Sequence, residues 1–324
     1  MNEHPLLELR SVNARLGAQQ ILRDVSLTMQ RGEVLGIVGE SGSGKTMTAR
    51  TILRALPPGI RAEGSVLFDG VDLLTLSHRR LRQVRARRIG MIFQDPRSHV
   101  DPLWSIGDYL TEGMRRHVGL SRTVARQRAI DLLRRVGITD GERRLRQYPD
   151  ELSGGMLQRV MIAGALAGDP DLLIADEATT SLDVTNQAEV VAILDDLRRS
   201  RGLGIIFITH DLALAGQLCD RTLVMYAGQV VENRRSSVLF NSPQHPYSAA
   251  LLAARPSLQE RPRRLATIPG QPASPLDAVS GCPFHPRCPY ATERCTKEIP
   301  TLRHRDDGTT ACLRIDEIAE QLVA

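Results

Sequence analysis

The chain has 324 residues, 42% of them hydrophobic and 24% charged, a globular balance with length for about two domains of roughly 150 residues each. No apolar run approaches the ~18 residues that cross a bilayer. The opening MNEHPLLELR lacks a basic segment followed by an apolar core, so a secretory signal is not expected and a soluble, cytoplasmic chain is. The formal net charge is +5, carried by 40 arginines and only two lysines, Lys45 and Lys297. That skew fits codon bias better than function, and it singles out each lysine. Eleven aromatic residues are too few for the stacking platforms of single-strand binders, and nucleic acid is not an expected partner.

In chain order, Leu6–Val12 and Val34–Val38 alternate or run apolar as buried strands do. The second leads into a glycine-rich stretch, Gly39 to Gly44, after which Thr46–Leu56 reads as a helix. Further strands are predicted at Val66–Phe68, Ile89–Phe93, Leu172–Ala175, Ile205–Thr209 and Thr222–Met225. Helical patterns between them predict an α/β core with a mostly parallel sheet. From about residue 105 to 168 strand signals vanish, which predicts an inserted helical subdomain. Composition shifts near residue 240: 1–240 reads as one domain and 241–324 as an extension, joined by a proline-rich connector around 255–275. The run HRRLRQVRARR (78–88) reads as a solvated helix face, with contact to nucleic acid or lipid headgroups as the sharper alternative.

Gly39-Glu40-Ser41-Gly42-Ser43-Gly44-Lys45-Thr46 matches the phosphate-loop pattern G-x-x-x-x-G-K-[ST], placed as required between a strand and a helix. Glycines let the backbone curl so that successive N–H groups face a phosphate, and the helix that follows adds its positive end. Lys45 can reach the β- and γ-phosphates, and Thr46 can ligate Mg²⁺. Such a loop needs a metal-holding acid on a neighbouring strand. Leu172-Leu-Ile-Ala-Asp176-Glu177 offers one, with Asp176 for Mg²⁺ and Glu177 to polarise the water attacking the γ-phosphate.

Further segments resemble the ABC transporter ATPases. Leu152-Ser153-Gly154-Gly155-Met156-Leu157-Gln158-Arg159 resembles their signature motif, Phe93-Gln94-Asp95-Pro96 their Q-loop, Ser181-Leu182-Asp183 their D-loop and His210 their switch histidine, all in the family's order. The resemblance implies a P-loop ABC core binding ATP and Mg²⁺. Gln94 would ligate the metal, and His210 would contact the γ-phosphate and help hold Glu177. Ser153, Gly154 and Gly155 would grip the nucleotide of a second ATPase subunit, identical or a sister chain. Met156 stands where the commonest signature has Gln. Where relatives stack an aromatic on adenine, the chain reads Ala14-Arg15-Leu16-Gly17, which predicts weaker or less base-selective binding.

His245-Pro246-Tyr247, Ile268-Pro269-Gly270 and Gly281-Cys282-Pro-Phe-His-Pro-Arg-Cys288-Pro resemble the tail of oligopeptide, dipeptide and nickel importer ATPases. This implies peptide import, with nickel or another small solute as alternative, at the cytoplasmic face of the inner membrane. The partners implied are two membrane permeases, docked on the groove around Asp95–Tyr109, and an extracytoplasmic substrate-binding protein. A soluble ABC ATPase acting on nucleic acid or the ribosome is a further alternative, and a small-molecule kinase leaves Ser153–Gly155 and His210 unexplained. Cys282, Cys288, Cys295 and Cys312 suit a tetrahedral sulfur site. Their spacing exceeds that of zinc knuckles, so a [4Fe-4S] cluster is expected, with zinc or unliganded thiols as alternatives. Cys219 reads as a core residue.

Overall fold

The computed structural model describes residues 4–179, 183–254, 267–277 and 280–322. The strands are β1 (Leu7–Leu16), β2 (Gln19–Met29), β3 (Val34–Val38), β4 (Ile60–Phe68), β5 (Val71–Asp72), β6 (Ile89–Ile92), β7 (Leu172–Asp176), β8 (Gly204–Ile208), β9 (Arg221–Tyr226), β10 (Gln229–Arg235), β11 (Arg303–Arg305) and β12 (Gly308–Thr310). They divide between two compact units.

The first unit comprises Met1–Leu6, Met29–Val34 and Thr75–Ile208. Its β6, β7 and β8 pair in parallel, Ile89 opposite Leu172 and Leu172 opposite Gly204. Every residue of β7 and β8 is buried, which is why these strands read as unbroken apolar runs. Between β6 and β7 the chain is helical, with helices at Ile106–Gly113, Arg122–Arg135 and Gly154–Ala165 and a π-helical turn at Met114–Val118. Ser105, Ser121 and Ser153 each cap the helix that follows, accepting from the N–H three residues on.

The second unit comprises Leu7–Thr28, Leu35–Leu74 and Thr209–Ala324. One sheet runs β2-β1-β4-β5, and a further run of neighbours is β11-β12-β10-β9-β3. β3 and β9 are parallel; the others of that run pair antiparallel. The helix after the phosphate loop is Lys45–Ile52, shorter than the sequence suggests, because Arg54 adopts a left-handed φ of 50°.

Five described strands, β2, β5, β10, β11 and β12, escape the sequence reading, and for β2 and β10 the physical reason is plain. β2 buries Leu22, then Val25, Leu27 and Met29; Asp24, at a φ of 48°, inserts an extra residue and breaks the period of two. β10 carries Glu232 and Arg234, buried to 0% and 3% exposure, because β12 of the extension pairs along it, Glu232 opposite Thr310.

Candidate nucleotide site and cysteine pocket

The phosphate loop follows β3. Gly39, Gly42 and Gly44 have φ of 151°, 78° and 106°, conformations open to glycine. A Cβ on Gly39 would stand 2.3 Å from the Met225 carbonyl oxygen, and one on Gly44 2.9 Å from Leu22. Lys45 is 5% exposed, and its Nζ donates to the carbonyls of Gly39 and Glu40 at 2.8 and 2.9 Å. The Gly228 N–H closes the loop onto the Ser43 carbonyl at 2.9 Å. Ser43 Oγ is buried without a hydrogen-bond partner, and buried hydroxyls are rarely left so. Thr46 is exposed on the first helical turn.

In the first unit, Asp176 ends β7 at 5% exposure. Glu177 follows with a φ of 50°, a left-handed conformation that costs a non-glycine residue about 1–3 kcal/mol and gathers at functional sites. Its N–H donates to the Ile208 carbonyl at 3.0 Å, and Gln94 Nε2 donates to its Oε2 at 2.9 Å. The Q-loop glutamine and the candidate base therefore touch. Gln158, buried in the helix that begins at Gly154, donates to the Ala178 carbonyl at 2.8 Å and ties that helix to the strand end bearing both acids.

Ser153 caps the signature helix, and Gly154 and Gly155 form its first turn. A Cβ on Gly155 would lie 2.7 Å from Asn186 Oδ1. Asn186 is bonded through N and Nδ2 to Asp183 at 2.9 and 2.7 Å; these bonds hold the Asp183 carboxyl below its usual range. Ser181 lies outside the described residues. In the second unit His210 is exposed directly after β8, beside Asp211, which caps the Leu212–Leu218 helix. In the first unit Gln94 and Glu177 each follow the carboxyl end of a strand, and in the second the phosphate loop follows that of β3.

In the extension, Cys282, Cys288, Cys295 and Cys312 line one small cavity of about 20 Å³ with Phe284, Tyr290 and Ile318. Burial pushes the Cys282 thiol up to about 12 and Cys288 to about 11, and raises Cys312. Among the described residues no three His, Cys, Asp or Glu side chains are grouped so as to hold a metal ion. Cys219 sits in the core at 6% exposure.

A family model for ABC transporters matches residues 22–180, and one for the oligopeptide/dipeptide transporter C-terminal region matches 231–295. The dipeptide transport ATP-binding protein DppD of Escherichia coli is 45% identical over 88% of this chain and 87% of its own. The chain belongs to the ABC transporter ATPases. The oligopeptide transport ATP-binding protein OppD of Haemophilus influenzae is 42% identical over 93% of this chain and 95% of its own. Among solved structures, cbiO1 of Clostridium perfringens, part of the ABC transporter complex cbiONQ, aligns with a TM-score of 0.64 at 28% identity, covering 74% of this chain and 91% of its own. A P-loop ABC fold that binds ATP follows from membership. The family works on membrane permeases, and no helix among the described residues is long and apolar enough to cross a membrane.

Sequence reasoning missed the surroundings of Glu40. Its carboxylate is held by Arg287 Nη1 at 2.7 Å and Nη2 at 3.0 Å, and its N–H donates to Tyr247 Oη at 2.8 Å. Arg287 and Tyr247 both belong to tail motifs, and neither carries a nucleotide-binding pattern of its own. At the adenine position Arg15 and Leu16 are exposed at the end of β1.

Proposed function

We propose that this chain binds and hydrolyses MgATP to energise import of peptides through a pair of membrane permeases. The phosphate loop carries the reading, since its left-handed glycines, orphaned Ser43 hydroxyl and buried Lys45 form a cradle suited to an anion. The substrate class is supported by the dipeptide and oligopeptide transport proteins it resembles. Residues 1–240 would form the nucleotide-binding domain, with its helical subdomain at 105–168, and 241–324 the peptide-importer extension.

In this reading Lys45 and the loop N–H groups of Gly39–Thr46 hold the β- and γ-phosphates. Thr46, Gln94 and Asp176 would hold Mg²⁺, which would offset the charge of the phosphates. Glu177 accepts the proton of the attacking water and His210 steadies the γ-phosphate. Ser153, Gly154 and Gly155 offer a capped helix start to the nucleotide of a second ATPase subunit, identical or sister, and Ser181 and Asp183 would be the D-loop residues. The Gln94 amide donates to the Glu177 carboxylate at 2.9 Å, so a residue that would hold the metal also positions the candidate base. The permeases would dock on the groove of about 590 Å³ lined by Leu103, Trp104, Asp108 and Arg115, where Leu103 is 84% exposed. An extracytoplasmic binding protein would deliver cargo, and the chain would sit peripherally at the cytoplasmic face of the inner membrane. With the permease pair, Glu177→Gln is expected to keep MgATP binding and lose about 100-fold or more in turnover. Undiminished ATP turnover and uptake would refute the assignment.

The four thiols that line one cavity are the residues that would hold a [4Fe-4S] cluster, with zinc as the alternative occupant. Bound, a [4Fe-4S] group would supply a cross-link and one-electron chemistry. Anaerobically purified protein is expected to carry about four irons and four sulfides per chain, lost in Cys288→Ser. Stoichiometric zinc, or neither metal, would reject the cluster.

A further inference from the structure

Among the chain's arginines, Arg287 is unusual in being buried, with 4% of its side chain exposed. Its guanidinium spends every donor on the second unit. Nη1 and Nη2 take both Glu40 carboxylate oxygens at 2.7 and 3.0 Å. Nε donates to the Pro269 carbonyl at 2.8 Å, with Tyr226 Oη and the Ile268 carbonyl at 3.4 and 3.5 Å. The Tyr226 and Phe284 rings each lie with centroids 5.9 Å from its central carbon. A planar fork in a shell of this kind fixes both the position and the charge of the carboxylate it grips.

That carboxylate belongs to the second residue of the phosphate loop. The Glu40 carbonyl accepts from Lys45 Nζ at 2.9 Å and from the Ser43 N–H at 3.2 Å, so Glu40 is the residue on which the loop closes. It also brings a negative charge beside a site built for an anion. Unpaired, that charge would repel phosphate, and the loop would lose its outer anchor.

We propose that Arg287 is a positioning residue for nucleotide binding. Reaching across 247 positions of sequence, it neutralises and anchors Glu40, and so makes the affinity of the phosphate loop depend on the folded extension. The inference rests on the nucleotide-binding reading above and goes beyond it, because it gives the extension a share in ATP affinity. Arg287 acts through the Glu40 carboxylate, so the effect falls on binding and leaves the chemical step alone.

The test is equilibrium binding of MgATP to the full-length chain as wild type, Arg287→Ala, Arg287→Lys, Glu40→Gln and Arg287→Ala with Glu40→Gln. Arg287→Ala is expected to raise the dissociation constant about tenfold, the scale of one charge-assisted bond. Adding Glu40→Gln should recover part of that loss, because the unpaired carboxylate is then gone; a merely structural role gives no such rescue. Arg287→Lys should fall between alanine and wild type. In the assembled transporter, KM for ATP should rise with kcat within about twofold. If Arg287→Ala disturbs folding, Glu40→Gln still reports, since it keeps the side chain's shape and removes only its charge. Single variants that leave affinity unchanged, or a double variant equal to the product of the singles, would overturn the proposal. A wild type that binds no MgATP would instead overturn the nucleotide reading itself.

Discussion

The phosphate loop and the cysteine pocket lie in the same unit, yet they store their chemistry differently. The loop is eight consecutive residues, Gly39 to Thr46, and its shape follows from local backbone rules: where φ turns positive, only glycine fits cheaply. The pocket gathers Cys282, Cys288, Cys295 and Cys312 from four places in a segment with little regular structure. Its shape depends on turns such as the Cys282 N–H donating to the Cys295 carbonyl at 2.8 Å. A contiguous motif declares both its chemistry and its geometry. A dispersed one declares its donors and leaves their spacing to the fold.

The difference is sharpest where one methyl group is added. Ala at Gly39 would push a Cβ to 2.3 Å from the Met225 carbonyl at a φ of 151°, whereas a Cβ on Gly42 meets nothing within 4 Å. Gly39→Ala is therefore expected to weaken MgATP binding by about 100-fold, the equivalent of ~3 kcal/mol of overpacking and strain. Gly42→Ala carries only left-handed strain of about 1–2 kcal/mol and should lose about 30-fold at most. Equal losses at the two positions, measured by equilibrium binding, would mean that closure against Met225 does not shape the loop.

Legibility along the chain follows the same division. The buried parallel strands β3, β7 and β8 were readable because both of their faces are covered, and their sequences are apolar throughout. The acids at the end of β7 were readable from that strand. What no local pattern could carry was the Gln94–Glu177 contact, the left-handed backbone of Glu177, and Arg287 on Glu40. Each depends on segments remote in sequence. β10 was hidden for a related reason: Glu232 and Arg234 look like surface residues until the tail covers them. The Arg234 head group is paired with Asp307 of that tail and also donates to the Ser242 carbonyl at 2.7 Å.

This buried polar layer next to the cysteine pocket gives a further expected effect, read from pH. His245 lines the pocket and accepts from the Tyr247 N–H at Nδ1 at 3.0 Å; burial pushes its pKa down to about 3. Unfolded histidine titrates near 6.5, so below that pH the unfolded chain takes up a proton that the folded chain refuses. Stability then falls as pH drops from about 6.5 towards 3, by up to ~1.4 kcal/mol per unit. Glu232 acts the opposite way. Burial raises it to about 7, against its hydrogen bond from the Gln244 N–H and the charge of Arg234. Between pH 7 and about 4.5 the folded chain holds a proton that the unfolded chain has released, and stability rises as pH falls through that window. The two slopes oppose each other between about 6.5 and 4.5. Glu232→Gln removes one slope and keeps the acceptor for the Gln244 N–H. Relative to wild type, the variant should lose on the order of 2 kcal/mol between pH 6.5 and 5, measured by denaturant unfolding at each pH. Parallel curves for the two proteins would place a charged Glu232 in the fold and deny that burial by the extension controls it.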